Sequence, residues 1–241
     1  MIMSSKDTKK PLAIVTGGFG YVGKIIVKQL ELSGWRVAVL SRKKGTETSA
    51  PLYRCDVTSE KSVREAVAKI VSDLGGIQAC VHAAVAPMEN KPLTDISAVS
   101  FDTALSTAAR GAFLLAKAAV PHMERGAAFI GITTTLIEPA AKLMPMGGYI
   151  PAKYALRGFL RAFASEQKAR GIRVYAVSPG FIAGGLNRDV PKAVLSLLAK
   201  KSEAGETTAE NVAEVVVKIC TEPAAYPSSS SISVPGEVTP L

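Results

Sequence analysis

The stretch from Leu12 to Gly23, LAIVTGGFGYVG, indicates how this chain folds. Leu12 to Thr16 is an apolar run that ends in threonine, which is typical of a strand buried on both faces of a parallel sheet. Glycines follow at once, and a helical pattern runs from about residue 22 to residue 32, before a Ser-Gly stop. A strand, a glycine-rich turn and a helix in this order predict a unit that can bind the pyrophosphate of a dinucleotide.

Three glycines of this stretch fall where such a turn needs them. Gly17 can form the tight turn, Gly20 lets the backbone approach the phosphates, and Gly23 lets the helix pack close to the strand. The helix N-terminus adds positive potential. An ordinary glycine turn is the alternative, because the motif alone does not separate the two.

Short β-rich runs alternate with longer helical patterns along the rest of the chain. This alternation predicts a Rossmann-like, doubly wound three-layer α/β/α sandwich with a parallel seven-stranded sheet. The strands are expected at residues 12–16, 36–40, 52–57, 79–83, 127–132, 172–177 and 232–234. The helices are expected at about 22–32, 60–73, 97–123, 149–169, 191–200 and 209–220.

Composition limits the kinds of protein that this chain can be. It has 241 residues, of which 48% are hydrophobic and 20% charged, so we expect one folded domain over residues 1–241. No apolar run reaches the length of a membrane span, and the N-terminal residues show no apolar signal segment. We therefore expect a cytoplasmic protein that does not act at a membrane.

The net charge of +9 comes from scattered basic residues. The tightest cluster is Arg42-Lys43-Lys44, and no basic stripe is interleaved with aromatic residues, so nucleic acid is not an expected partner. The three cysteines form no C-x-x-C pair, and the two histidines lie far apart. Neither a disulfide framework nor a metal site is expected.

The residues after the second expected strand bear on which dinucleotide binds. An Asp or Glu about 20 residues after the glycine loop usually holds a ribose without a 2′-phosphate. Here the sequence reads Ser41, Arg42 and Lys43, with no acidic residue until Glu47. Arg42 can pair with a 2′-phosphate, with Ser41 close by, so we predict NADP(H) rather than NAD(H). A basic surface turn is the alternative.

Tyr149 and Lys153 form a Y-x-x-x-K pattern that places both side chains on one face of a helix. A tyrosine that exchanges a proton near neutral pH needs its pKa lowered by about 3 units, which corresponds to about 4 kcal/mol. A lysine ammonium one turn away stabilises the phenolate, as does a positively charged nicotinamide. A surface tyrosine beside a surface lysine is the alternative for this pair taken alone.

Taken together, these patterns resemble the short-chain dehydrogenase/reductase family. The glycine loop, the Y-x-x-x-K pair and the Ser178-Pro179-Gly180 turn occur in the family's register, and the likeness covers nearly the whole chain. It implies that Tyr149 donates a proton to a carbonyl, while Lys153 holds the ribose hydroxyls and lowers the pKa of the tyrosine. The cofactor-binding residues that it implies are Gly17, Phe19, Gly20, Tyr21, Val22, Ser41, Arg42, Asp56, Val57, Ala83, Ala84, Tyr149, Lys153, Pro179, Gly180 and Ile182.

The resemblance also implies a catalytic hydroxyl just after the fifth strand, where the family usually has serine. This chain has Thr133-Thr134-Thr135 there, and Thr134 is in the matching register if the strand ends at Ile132. Threonine can donate the same hydrogen bond, although its methyl group restricts the rotamers. We therefore expect Thr134 to be the third catalytic residue, with Thr135 as the alternative.

Four features depart from the family's pattern. The glycine spacing T-G-x-x-G-x-x-G is that of the larger epimerase-like branch, and His82 begins a segment that usually reads Asn-Ala-Gly. Ala108 replaces the helical asparagine of the proton relay, and Gly184 replaces a threonine near the carboxamide. Proton delivery or nicotinamide orientation is therefore expected to be handled differently.

The leading hypothesis is an NADPH-dependent carbonyl reductase, or the reverse alcohol dehydrogenase, with a small-molecule carbonyl or alcohol substrate. The alternatives are a catalytically impaired dinucleotide-binding sensor or scaffold, and epimerase or dehydratase-type chemistry. Apolar residues within 184–201 favour a hydrophobic substrate. Arg125 and Arg170 suit an acyl-carrier-bound one, or are ordinary surface residues. The resemblance implies a homo-oligomer, a tetramer or dimer, built through helices at about 102–120 and 149–169.

Overall fold

The structure, a computed structural model, describes residues 10–43, 48–138, 145–187, 207–234 and 236–241. These residues form an eight-stranded sheet with helices packed on both faces. The expected three-layer, Rossmann-like fold is therefore confirmed. The helix expected at 191–200 and Lys44 of the basic cluster lie outside the described residues.

The strands follow the predicted alternation with small changes at their ends. They are β1 (Leu12–Thr16), β2 (Arg36–Ser41), β3 (Leu52–Arg54), β4 (Ile77–His82), β5 (Met123–Ile132), β6 (Arg173–Pro179), β7 (Ser230–Val234) and β8 (Val238–Pro240). Their order in the sheet is β3-β2-β1-β4-β5-β6-β7-β8. Neighbouring strands from β1 to β7 pair in parallel, whereas β8 pairs antiparallel with β7. The expectation of seven strands missed β8 because this strand is short and mostly exposed.

The helices lie between the strands, as the predicted alternation requires. They are α1 (Tyr21–Leu32), α2 (Glu60–Leu74), α3 (Ala98–Leu105), α4 (Gly111–Ala119), α5 (Tyr149–Gln167) and α6 (Ala209–Thr221). Ser59 caps α2 by accepting a hydrogen bond from the Ser62 amide, as its position before the helix predicts. Within the described ranges, none of the helices combines the length and the apolar character needed to cross a membrane.

Each face of the sheet has its own hydrophobic core. On one face α1 packs against α6, and on the other α2 packs against α4, with α5 beside β5 and β6. Phe129 of β5 meets Phe163 of α5 edge-on, with ring centroids 5.2 Å apart. This packing holds α5 over the middle of the sheet and so positions its first turns at the carboxyl ends of the strands.

The helical segment expected at 97–123 is not one continuous helix. A π-helical turn over Ser106–Arg110 separates α3 from α4, and a short 3-10 turn over Val120–His122 ends the segment. The 3-10 turn contains Pro121, which lacks an amide hydrogen and cannot continue an α-helix. The π-helical turn has no proline to explain it, and it lies directly against the buried end of β4.

Candidate active site

The predicted cofactor residues lie at the carboxyl edge of the sheet, where the chain leaves the parallel strands. The strand order reverses between β1 and β4, and open α/β sheets bind ligands in the crevice at such a switch point. A Cβ added to Gly17 would lie 2.8 Å from the Cα of Ala84, next to Ala83. The structure therefore brings the loop after β1 and the segment after β4 into direct contact.

The glycine loop has the tight backbone that its sequence predicts. Gly17 has a φ of +66°, and its carbonyl accepts a hydrogen bond of 2.8 Å from the Gly20 amide. A Cβ added to Gly23 would lie 2.2 Å from the same carbonyl oxygen, so a side chain cannot fit there. No side chain caps the start of α1, which leaves first-turn N–H groups available to an anion. Phe19 and Val22 of this loop pack on the core below it.

A second group of predicted residues lies at the ends of β2 and β3. Ser41 ends β2 and Arg42 follows it, whereas β3 stops at Arg54, so Asp56 and Val57 lie beyond the strand expected to include them. The Asp56 carboxylate accepts hydrogen bonds from the Thr58 amide (3.0 Å) and hydroxyl (2.8 Å). These bonds, with the charge of Arg42, hold the pKa of Asp56 below its usual value. The ionised carboxylate of Asp56 and the guanidinium of Arg42 therefore lie near each other.

Tyr149, Lys153 and Thr134 converge at the start of α5. Tyr149 is the first residue of α5, and Lys153 lies one turn later. Because β5 ends at Ile132, Thr134 has the register expected for the third catalytic residue. Its hydroxyl acts on the Tyr149 phenol and lowers the pKa of that group, and Lys153 Nζ lies 5.4 Å from the centroid of the tyrosine ring. The structure therefore places Thr134, rather than Thr135, beside the phenol.

The pKa of Tyr149 moves in the direction opposite to the one expected from the sequence. Burial raises the pKa to about 12, and the hydrogen bond with Thr134 offsets part of that effect. The ammonium of Lys153 donates a 2.6 Å hydrogen bond to the Ile132 carbonyl. With a pKa of about 12 the phenol is protonated at neutral pH and can act as a proton donor.

Lys153 is buried, with 5% of its surface exposed. Burial lowers its pKa to about 8, because the charged form loses its hydration. One of the three ammonium hydrogens is used by the Ile132 carbonyl, which leaves two donors for hydroxyl groups in the cleft. Its carbonyl partner carries no sequence signal, because any residue type supplies the same acceptor.

A pocket opens beside Tyr149 and Lys153 and encloses about 360 Å³, part of it continuous with solvent. Its other lining residues are Val85, Ala86, Pro87, Met88, Glu89, Ser100, Ala104, Ala108, Gly148 and Ala152. Most of these residues were not expected from the sequence. Their position just after β4, at the carboxyl edge, is the one signal that would have pointed to Val85 through Glu89.

His82, one of the four departures, is a buried link between three elements. Its Nε2 lies 3.1 Å from the Thr107 carbonyl and its Nδ1 lies 3.0 Å from the Thr16 hydroxyl. A carbonyl can only accept, so Nε2 carries the hydrogen and Nδ1 accepts from Thr16. The Thr16 oxygen in turn accepts from the Ala84 amide at 3.3 Å. Burial, together with the charge of Lys153, lowers the pKa of His82 to about 4, so the imidazole is neutral.

The predicted nicotinamide turn follows β6 and is tied to the neighbouring strand. Pro179 ends β6, and the Gly180 amide donates to the Val234 carbonyl at 3.3 Å. Ile182 pairs with Thr207 in an isolated bridge. This turn therefore lies at the same edge as the glycine loop and Tyr149, as the sequence predicted.

The two arginines considered for an acyl-carrier partner lie elsewhere. Arg125 is near the start of β5, and Arg170 precedes β6, so both lie at the amino edge of the sheet. Their guanidinium groups donate to the backbone carbonyls of Ala169 and Val120. Neither arginine touches the pocket beside Tyr149. Residues 188–201 of the expected variable segment lie outside the described residues.

These residues fit a nicotinamide dinucleotide. The glycine loop leaves no room for side chains at Gly17 and Gly23, and uncapped amides, a guanidinium and a buried ammonium line one edge of the sheet. Acidic, histidine and cysteine side chains do not cluster in a metal-binding group anywhere in the part of the chain that the structure describes.

Comparisons with known proteins agree with the geometry. A family model described as enoyl-(acyl carrier protein) reductase matches residues 22–237. The 2,5-dichloro-2,5-cyclohexadiene-1,4-diol dehydrogenase of Sphingobium indicum is 30% identical over 185 residues, covering 73% of this chain and 74% of that protein. The acetoacetyl-CoA reductase of Shinella zoogloeoides is 26% identical over 234 residues, covering 93% and 97%.

A solved structure also shares the fold. A short-chain dehydrogenase from Burkholderia cenocepacia, in complex with NADP, has a TM-score of 0.83 and 23% identity, covering 93% of this chain and 96% of that one. The match of the family model extends over most of the chain, and the Sphingobium relative is similar over most of its length. The chain therefore belongs to the short-chain dehydrogenase/reductase family, whose members are oxidoreductases that bind a nicotinamide dinucleotide.

Proposed function

We propose that this protein is an NADPH-dependent oxidoreductase that reduces a carbonyl compound, or oxidises the corresponding alcohol, with Tyr149 as the proton donor or acceptor. One observation carries the proposal. The phenol of Tyr149 is influenced by the Thr134 hydroxyl, which lowers its pKa, and its ring lies beside the Lys153 ammonium, next to a pocket on the carboxyl edge. A proton donor, a hydrogen-bond donor and a cation beside one pocket support this proposal.

Each of the three residues has a separate task in this mechanism. Because burial keeps Tyr149 protonated at neutral pH, it donates its proton to the carbonyl oxygen of the substrate. The Thr134 hydroxyl orients that oxygen, and Lys153 offers its remaining donors to the ribose hydroxyls. The ammonium also limits the cost of a phenolate once the proton has left Tyr149. A nicotinamide dinucleotide held by the glycine loop, Lys153 and the turn after β6 would supply hydride-transfer chemistry when bound.

The preference for NADPH rests on the end of β2. Arg42 follows Ser41 there, and the Arg42 guanidinium already acts on the Asp56 carboxylate. A 2′-phosphate would offer this guanidinium a second anionic partner. We expect Arg42→Ala to weaken NADPH binding by about 10- to 100-fold while NADH binding changes by less than about threefold. Titration calorimetry with both nucleotides measures this, and Arg64→Ala, an exposed arginine on α2, is the control.

The proposed substrate is a small, moderately hydrophobic carbonyl compound or alcohol. The pocket next to Tyr149 is lined mainly by apolar residues such as Val85 and Met88, with Glu89 and Lys153 as its charged residues. The proposal includes acyl thioester substrates, among them thioesters on an acyl carrier. One relative is an acetoacetyl-CoA reductase, and the matching family model is described as an enoyl-(acyl carrier protein) reductase.

We also propose a homo-oligomer, a dimer or tetramer. Phe113 of α4 is 47% exposed and Tyr154 of α5 is 49% exposed, which is unusual for aromatic side chains on helices. A second copy of the chain would bury them. Light scattering of the purified protein tests this, and a monomer at all concentrations would contradict it.

Replacing Tyr149 with phenylalanine tests the mechanism. We expect Tyr149→Phe to lower the rate of NADPH oxidation, measured with a panel of carbonyl compounds, by about 100-fold or more, since proton transfer contributes this much. Tyr226→Phe is the control, because Tyr226 lies between α6 and β7 and does not line the pocket. NADPH affinity should change by less than about threefold in both variants.

Three outcomes would contradict the proposal. Undiminished turnover by Tyr149→Phe would remove the mechanism. Tight NADPH binding by the wild type, without turnover of any carbonyl, would favour the sensor or scaffold alternative. Product formation with no net consumption of cofactor would favour epimerase or dehydratase-type chemistry.

A further inference from the structure

Tyr21 connects two parts of the site that are far apart in the sequence. It is the first residue of α1, directly after the glycine loop, and 45% of its surface is exposed. Its ring lies along the backbone of Gly184 and Gly185, in the segment that follows the turn after β6. The Tyr21 ring, which follows the predicted phosphate-binding loop, therefore packs on the backbone next to the predicted nicotinamide turn.

The two glycines leave the space that the ring occupies. A Cβ added to Gly184 would lie 2.9 Å from Tyr21 Cζ and 3.0 Å from its hydroxyl oxygen, and a Cβ added to Gly185 would lie 2.9 Å from Tyr21 Cβ. The φ angles of Gly184 and Gly185 are +101° and +58°, in the left-handed region that favours glycine. The absence of a side chain at residue 184, a departure noted in the sequence, is thus a requirement of the Tyr21 ring.

The segment under the ring is short and internally bonded. The Asn187 amide donates to the Gly184 carbonyl at 3.0 Å, and the Asn187 side chain donates to the Ile182 carbonyl at 2.9 Å. The Thr207 amide donates to the Phe181 carbonyl at 3.2 Å. A contact that immobilises Gly184 therefore also holds the residues on either side of it, including the predicted nicotinamide residue Ile182.

We propose that Tyr21 is a positioning residue for the nicotinamide half of the dinucleotide: its ring, seated on Gly184 and Gly185, holds the segment after β6 against the glycine loop. This inference rests on the proposed function. The ring acts by its shape and area, since the contact is with backbone atoms. The phenol hydroxyl is not required, so phenylalanine should replace Tyr21 and alanine should not.

The first test uses the protein without any cofactor. We expect hydrogen exchange at the Asn187 and Thr207 amides to become about tenfold faster in Tyr21→Ala and to keep the wild-type rate in Tyr21→Phe. Leu32→Ala is the control, because Leu32 is also an exposed residue of α1 but lies at the far end of that helix. Equal protection of these amides in wild type and Tyr21→Ala would overturn the inference.

The second test separates the two halves of the dinucleotide. We expect Tyr21→Ala to weaken NADPH binding about tenfold while adenosine 2′,5′-bisphosphate, which lacks the nicotinamide half, binds within about twofold of wild type. Tyr21→Phe should restore NADPH affinity. A residue that merely stabilises the fold would change the affinities for both ligands together, or change neither affinity. Equal weakening of the two ligands would therefore contradict the positioning role.

A double-mutant cycle tests the pairing with Gly184. We expect Gly184→Ala to weaken NADPH binding more in the wild-type background than in the Tyr21→Ala background, by a coupling of about fivefold or more, because the colliding ring is gone. Gly34→Ala controls for the backbone strain, since Gly34 has a φ of +85° with no atom within 4 Å of an added Cβ. Additive effects would overturn the inference.

The outcomes also distinguish this inference from the proposed function. If the wild type fails to bind NADPH, both are wrong. If the wild type binds NADPH and Tyr21→Ala binds it equally well, the positioning role alone is wrong and the oxidoreductase proposal stands.

Discussion

Replacing His82 with asparagine should remove part of the protein's sensitivity to acid. His82 is 1% exposed, and burial lowers its pKa from 6.5 to about 4 in the folded protein. In the unfolded chain the imidazole is hydrated and takes up a proton near its ordinary pKa of about 6.5. Between these two values the unfolded chain binds a proton that the folded protein does not. Acidification through this window therefore destabilises the folded state.

The size of the effect follows from the two pKa values. The folded and unfolded values differ by about 2.5 units, and each unit corresponds to about 1.36 kcal/mol, so the limiting loss is about 3 kcal/mol. Most of this loss is expected early in the window. From about pH 7 to about pH 5 the wild type should lose about 2 kcal/mol of unfolding free energy through His82 alone.

Urea unfolding of wild type and His82→Asn at several pH values measures the contribution of His82 to the unfolding free energy. The other titrating groups are common to both proteins, so the difference between their unfolding free energies isolates His82. That difference should fall by about 2 kcal/mol between about pH 7 and pH 5, whatever its value at neutral pH. His122→Asn is the control, because His122 is exposed at the start of β5. A difference that does not change with pH would refute the neutral, buried imidazole.

Two further predictions concern the glycine loop and the buried lysine. Gly23→Ala should lower the unfolding free energy by about 2 kcal/mol or more and abolish NADPH binding, because its Cβ would lie 2.2 Å from a loop carbonyl oxygen. Urea unfolding measures the stability and calorimetry measures the binding. Gly158→Ala is the control and should change neither, because an added Cβ there has open space around it. Burial lowers the pKa of Lys153 to about 8 in the folded protein, whereas in the unfolded chain the lysine keeps its proton up to about pH 10.5. The folding stability of the wild type should therefore rise as the pH increases from about 8 toward about 10.5. Lys153→Met should lack this gain and turn over substrate about 100-fold more slowly; an equal gain in both proteins would show that the lysine is not buried.

Two of the departures from the family's pattern take part in contacts of their own. His82 donates to the Thr107 carbonyl within the π-helical turn that contains Ala108, so the strand supplies a polar contact to this part of the helix. Gly184 lacks a side chain where the Tyr21 ring already fills the space.

The sequence by itself determined the layered fold, the glycine turn after β1 and the shared helix face of Tyr149 and Lys153. Buried parallel strands are continuous apolar runs, glycines mark the turn after β1, and a four-residue spacing places Tyr149 and Lys153 on one helix face. These signals are local, because they arise from backbone geometry over a few neighbouring residues. The family resemblance then added the register between them, including Thr134 after β5.

Only the tertiary structure decided how distant residues act on one another. The sequence predicted a lowered pKa for Tyr149, but burial of the phenol raises it. The ring of Tyr21 meets Gly184 only because the sheet order β1-β4-β5-β6 brings the ends of β1 and β6 to one edge. Burial and contacts between remote segments depend on the whole packed chain, and spacing along the sequence does not encode them.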